Sequence, residues 1–149
     1  MLRFDRTNAN NPDFRNLVTM LDQYLAVMDG EEHAYYAGYN GLDSIPYVIV
    51  VYENDKPVGC GAMKEFSTDS VEVKRMFVHP DHRRQGVAKL VLSELEKWAN
   101  EFGYNSCILE TGKRQAEAVA LYLSYGYSQV PNYGQYEQME NSICMMKQL

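Results

Sequence analysis

The spacing of apolar positions divides the chain into alternating strands and helices. LRFDRT (2–7) is a short strand candidate. From there to residue 28, Phe14, Leu17, Val18, Leu21, Leu25 and Met28 recur at the three- and four-residue intervals of one helical face. Asn11 stands at the cap and Pro12 at the first helical position, where a missing N–H is harmless. EEHAYYAGYNGLDSI (31–45) mixes aromatics with glycines and reads as a short irregular helix or a loop. PYVIVVYEN (46–54) is an apolar, β-branched strand; a turn at Asp55–Lys56 leads into PVGCGAMKEF (57–66), so the two read as a hairpin. SVEVKRMFV (70–78) alternates as a third strand, which Pro80 stops.

A second amphipathic stripe follows: Ala88, Val91, Leu92, Leu95, Trp98, Ala99 and Phe102, with Gly103 as its C′ residue. SCILET (106–111) is the next strand and RQAEAVALYLSY (114–125) the next helix, ended by Gly126. YSQV (127–130) and NSICMMKQ (141–148) are the last strands, with the glycine–tyrosine loop PNYGQYEQME (131–140) between them. Strand–helix–strand–helix–strand after an antiparallel meander predicts a mixed α/β fold with helices on both faces. Its 149 residues suit one domain, 1–149.

No run of 18 apolar residues exists, which excludes a transmembrane helix, and MLRFDRTNANN lacks the apolar core of a secretory signal. Three scattered cysteines, Cys60, Cys107 and Cys144, sit in apolar runs and read as buried thiols of a cytoplasmic protein. A net charge of −6 argues against nucleic-acid binding and mildly favours an amine-bearing partner. No membrane partner is expected. His79 and His82 lack a third ligand nearby and read as loop histidines, so no metal is expected.

Against that acidic background, HPDHRRQGVAKLVLSELEKW (79–98) puts Arg83, Arg84 and Lys89 at a helix N-terminus, which already carries partial positive charge. The first amides of a helix have no internal partner, and the dipole favours phosphate there. Gly86 lets an anion approach the backbone, Ala88 keeps the next turn small, and the arginines add charge-assisted bonds. The stretch reads as a pyrophosphate cradle, or else as a solvated basic turn. Two common phosphate loops do not fit. Gly112-Lys113 is followed by Arg114, where a Walker loop needs Ser or Thr, and Gly59 and Gly61 are followed by Lys64, where a dinucleotide fingerprint needs glycine.

Arg83-Arg84-Gln85-Gly86-Val87-Ala88 matches the R/Q-x-x-G-x-G/A signature of the GNAT N-acetyltransferase superfamily, between a strand ending MFVHP and a long helix. AVALYLSYGY (118–127) is similar to that family's A-x-x-L-Y-x-x-x-G-F/Y segment. The chain is therefore identified as resembling a small, single-domain bacterial-type member. The resemblance implies a mixed sheet of about six to seven strands with helices on both faces. It also implies central strands splayed for coenzyme A, and acetyl transfer from acetyl-CoA to an amine. The pyrophosphate then takes the amides of Arg84 to Lys89, Gln85 and Val87 included. The pantetheine arm pairs with Met76, Phe77 and Val78, where strand 70–78 parts from strand 106–111. Tyr122 is the implied general acid. Gln115 stands where the family often has asparagine as a cofactor contact. A homodimer is a family expectation.

Amine acetylation needs a neutral amine, a polarised carbonyl and a proton for the leaving thiolate. Glu72 is a candidate base, directly or through water, or an exposed partner of Lys74 or Arg75. Glu110 is the rival base, or an ion-pair partner of Arg114 or Lys113. The amide of Met76 or Val78 is the candidate oxyanion donor. Tyr122 is read either as the acid or as a core aromatic. The resemblance implies that Tyr35, Tyr36, Tyr39, Tyr133 and Tyr136 border the acceptor groove; the clustered tyrosines read as aromatic walls suited to a cationic amine or as half-buried surface, while Arg75 would suit a substrate carboxylate. The acceptor is expected to be a small amine, amino-acid-like or polyamine-like. The alternatives are a peptide or protein amine, or a non-catalytic acyl-CoA sensor.

Overall fold

The computed structural model describes residues 1–29 and 45–149; Tyr35, Tyr36 and Tyr39 lie outside them. The elements run β1 (Leu2–Thr7), α1 (Pro12–Asp29), β2 (Tyr47–Glu53), β3 (Lys56–Ser67), β4 (Ser70–Val78), α2 (Val87–Glu101), β5 (Ser106–Gly112), α3 (Ala116–Ser124), β6 (Ser128–Val130) and β7 (Ser142–Gln148). Short 3-10 turns occupy Pro80–His82 and Gly134–Tyr136.

Local chemistry sets the ends. Asn11 Oδ1 accepts the Phe14 amide at 3.0 Å, capping α1. The β2–β3 turn is Asn54–Asp55, one residue earlier than expected, with φ of 51° and 66°. Asn and Asp tolerate this left-handed region, which matches the strand twist of a tight hairpin. α3 starts at Ala116 rather than 114, because Gln115 (φ −94°, ψ 67°) is its cap.

The strands form one sheet in the order β1-β2-β3-β4-β5-β7-β6. All neighbours are antiparallel except β4 and β5. Strand alternation sends Val48, Val50, Cys60 and Ala62 to one face, against Phe14, Leu17 and Val18 of α1. Ile49, Val51, Val71 and Val73 face the other way, against Val91, Leu92 and Leu95 of α2, with Tyr122 of α3 in the same cluster. A Cβ on Gly59 would overlap Val87, and one on Gly61 would overlap Val91 and Met76. These glycines let α2 lie close on β3. Cys60, Cys107 and Cys144 are buried and free. Among the described residues no helix is long and apolar enough to cross a membrane.

Two features of β4 open the site. It pairs with β5 only from Ser70 to Val73, opposite Ser106 to Leu109. Beyond that point the strands part, and backbone that a sheet would satisfy is left for another partner. The β3–β4 register then shifts between Cys60 and Ala62. At this bulge Arg75 takes φ 58°, a left-handed conformation rare for a non-glycine residue inside a strand.

Candidate active site

The cradle is built by backbone conformation. After β4 the Pro80–His82 turn is capped by His79, whose Nδ1 accepts the Asp81 amide at 3.1 Å. Arg84 (φ 65°) and Gly86 (φ 81°) then turn the chain into α2. Gly86 caps α2 with no side-chain hydrogen bond, and the first turn holds no acidic residue. The leading amides thus have no side-chain cap, the arrangement that suits an anion. A Cβ on Gly86 would meet nothing within 4 Å, so the space over this backbone is open. Arg83 is fixed beside it, its Nε donating to the Val78 carbonyl at 3.3 Å and its guanidinium 5.7 Å from the Tyr24 ring.

A cleft of about 480 Å³ runs from this turn along the end of β4 to α3. Its walls include Met76, Phe77, Val78, Arg83, Arg84, Gly86, Val87, Ala88, Lys89, Gln115 and Tyr122. Of the residues expected to hold the cofactor, Gln85 alone is not a wall; it is exposed in the same turn. Leu21 and Tyr24 of α1 complete the cleft, a tertiary contribution that no local motif signals.

A smaller cavity of about 90 Å³ lies where β4 and β5 part, and it shares Leu21, Met76, Gln115 and Tyr122 with the cleft. Glu72, Lys74, Arg75, Glu110 and Tyr136 also line it. Tyr122 is both things the sequence allowed. It is buried and packed edge-on against Tyr127 at 5.9 Å, yet it borders both spaces. Burial, aided by the negative Glu110, raises its pKa above the ordinary phenol value, so it is a protonated donor at neutral pH.

The exposed setting considered for Glu72 is corrected: the residue is 3% exposed. It shares its face of β4 with Lys74, and the 131–140 loop covers that face. Tyr133 donates from its hydroxyl to Glu72 Oε2 at 2.8 Å, and Lys74 Nζ lies 3.8 Å from Oε1. Tyr133 also packs edge-on against Phe66 and Tyr136, at 5.1 and 5.7 Å. Burial and the nearby Glu72 raise the pKa of Tyr133; burial and the charges of Glu110 and Glu72 raise that of Tyr136. Glu110 accepts from Ser142 Oγ at 2.8 Å, while Arg114 Nη1 donates to the Met28 carbonyl at 3.1 Å. Arg75, expected as a carboxylate clamp, is paired with Asp22 of α1 at 2.7 Å. Lys74, expected only as an ion-pair partner of Glu72, is itself a buried charge. Its place two residues after Glu72, on the same strand face, was the available signal.

Comparison with known proteins meets this geometry. The model of the acetyltransferase (GNAT) family matches residues 11–127. The chain is 38% identical over 100 residues to YsnE of Bacillus subtilis, an uncharacterized N-acetyltransferase. That alignment covers 66% of this chain and 66% of YsnE, so the chain spans about two thirds of that relative's length. The fold matches a Klebsiella pneumoniae protein assigned to the acyl-CoA N-acyltransferases, with a TM-score of 0.84 and 25% identity over 100% of this chain and 98% of that one. It also matches a GNAT family acetyltransferase from Elizabethkingia anophelis with acetyl-CoA bound, with a TM-score of 0.73 and 17% identity over 99% and 98% of the two chains.

Proposed function

The chain belongs to the acetyltransferase (GNAT) family, and from that premise we propose that it is an acetyl-CoA-dependent N-acetyltransferase whose acceptor is the primary amine of a small molecule. The observation that carries this reading is the meeting of two spaces at Tyr122, one walled by the basic turn and one by carboxylates.

The residues present fit acetyl-CoA. Open backbone at Gly86 with Arg83, Arg84 and Lys89 beside it suits a pyrophosphate, and the β4 edge from Met76 to Val78 suits an amide-bearing arm. When bound, acetyl-CoA supplies an acetyl group already activated as a thioester. The protein's own groups then do the rest. Glu72, or Glu110, takes a proton from the incoming ammonium. The amide of Met76 or Val78 would donate to the charge that develops on oxygen. As the amine nitrogen bonds to the acetyl carbon and the carbon–sulfur bond breaks, Tyr122 would give its proton to the departing thiolate and recover one from the nitrogen of the new amide. Holding two reactants in adjoining spaces itself contributes several kcal/mol.

The acceptor assignment rests on the 131–140 loop. A protein substrate wants an open groove, whereas Tyr133 is hydrogen-bonded to Glu72 across this face. That favours a small molecule over a peptide or protein amine. Three buried free thiols support a reducing, cytoplasmic setting.

The test is turnover. The purified chain is incubated with acetyl-CoA and a panel of small amines, short peptides and protein lysines, with release of the CoA thiol followed by absorbance and products by mass. Acetylation of small amines is expected. Turnover confined to peptides would contradict the acceptor assignment; tight acetyl-CoA binding with no acetylated product would leave a sensor instead.

A further inference from the structure

The bulge in β4 has an arginine where glycine is the usual residue. Lys74 is paired with Ala62 and Phe77 with Cys60, so Arg75 and Met76 both stand opposite Gly61. Two residues against one is a β-bulge, and the form with a left-handed first residue favours glycine there. Arg75 takes φ 58° while carrying a long side chain. Backbone of this kind persists only where its surroundings hold it. Two contacts do so. The Cys60 thiol of β3 donates to the Arg75 carbonyl at 3.4 Å. The Arg75 side chain, 6% exposed, donates from Nη1 to Asp22 Oδ1 of α1 at 2.7 Å. A charge-assisted bond of that length is among the strong ones.

We propose that Asp22 is a positioning residue for acetyl transfer: through Arg75 it holds the β4 bulge in its left-handed form, and so aims the Met76 amide and the strand edge that follows. This deepens the acetyltransferase reading and rests on it. β4 leaves β5 after Val73, and the edge from Met76 to Val78, which walls the cleft, starts directly after the bulge. The dihedrals of Arg75 set the plane of the peptide that carries the Met76 N–H. Releasing Arg75 toward ordinary strand geometry would therefore swing that donor. Asp22 itself walls neither the cleft nor the smaller cavity, so it acts through Arg75 and not on a reactant. Its neighbours Leu21 and Tyr24 do wall the cleft, and the same ion pair ties their helix to the strand edge they face.

The test compares the wild-type chain with Asp22→Ala, Asp22→Glu, Arg75→Gly and the double variant Asp22→Ala/Arg75→Gly. Each is assayed for kcat, KM and melting temperature, with acetyl-CoA and the amine that the wild type acetylates fastest. Asp22→Ala is expected to lower kcat about tenfold with KM for the amine within about twofold, because a misaimed donor is lost from the transition state and not from the ground state. Asp22→Glu, which keeps the carboxylate, recovers most of that loss. Glycine takes a left-handed conformation without a clamp. The double variant is therefore expected to turn over faster than Asp22→Ala alone, and within about twofold of Arg75→Gly. If melting curves show Asp22→Ala unfolded, Asp22→Asn takes its place in both arms. A pair that only stabilises would lower the melting temperature and leave kcat at the wild-type value, which would overturn the proposal. A double variant no faster than Asp22→Ala would overturn it too, and acetyl transfer by the wild type would still stand. Failure of the wild type to acetylate any amine would overturn the acetyltransferase reading and this inference together.

Discussion

The Tyr133 hydroxyl reaches back 61 positions along the chain to donate a 2.8 Å hydrogen bond to the carboxylate of Glu72. One end of the bond is in the middle of the sheet, and the other is in the loop that precedes β7. It joins the 131–140 loop to the candidate base that lines the smaller cavity. Replacing Tyr133 with Phe keeps the ring and its packing on Phe66 and Tyr136 but removes the donor. A buried acceptor left unsatisfied costs about 1–3 kcal/mol. Tyr133→Phe is therefore expected to lower the melting temperature by several degrees and to reduce kcat, with the Kd for acetyl-CoA unchanged. Unchanged kcat and melting would show that the bond neither holds Glu72 nor matters to turnover.

In the proposed mechanism Tyr122 protonates the leaving sulfur, and its raised pKa keeps it protonated through neutral pH. A positioned general acid contributes about 10²–10⁴ in rate. Tyr122→Phe is expected to lower kcat by about a hundredfold and to leave the Kd for acetyl-CoA within about twofold. A wild-type kcat in the pre-steady-state burst and at steady state would remove Tyr122 from the mechanism.

The alkaline limit of stability follows from buried thiols and phenols. Burial pushes Cys60 and Cys107 from the ordinary 9.0 up to about 12. Burial and the Asp13 carboxylate push Tyr52 from 10.0 up to about 12. A group whose folded pKa is raised contributes stability that is complete below its unfolded pKa and lost as pH rises through the folded value. Lys74 acts in the opposite sense, because its folded pKa is lowered. The thiols and the phenol outnumber it, so the melting temperature should fall progressively between about pH 9 and pH 12. Cys60 and Cys107 should stay inert to a thiol reagent until the chain unfolds. A flat melting temperature across that window, or rapid labelling of the native chain, would contradict this.

Much of the fold was legible because its signals are local. Asn11 and Pro12 start α1 where cap chemistry places them, and the stripe Val91, Leu92 and Leu95 is the buried face of α2. The turn before α2 was legible too, since a basic cluster before a glycine-capped helix is written in consecutive residues. The hairpin turn was misplaced by one residue because Asn54, not Lys56, takes the left-handed conformation. The bulge at Arg75 left no mark, since nothing in VEVKRMFV distinguishes a strand with a left-handed residue from a regular one. The acceptor side was least legible. Alternation alone put Glu72 and Lys74 on one face, but whether that face met water or protein depended on a loop some sixty residues away. Only the folded chain shows Glu72 as a buried, hydrogen-bonded carboxylate and Lys74 as a buried charge beside it.

The measurement closest to the central claim is a calorimetric titration of acetyl-CoA, with ATP as control, into the wild-type chain, Gly86→Ala and Gly86→Glu. Gly86 has φ 81° with open space above it, so alanine adds backbone strain of about 1–2 kcal/mol but neither bulk against a wall nor charge. Glutamate adds the same strain and puts an anion where the pyrophosphate would sit. The account predicts binding of acetyl-CoA but not ATP by the wild type, retained and weaker binding by Gly86→Ala, and none by a folded Gly86→Glu. Equal affinity for acetyl-CoA in a folded Gly86→Glu, or no binding by the wild type, would show that the turn before α2 is not the cradle.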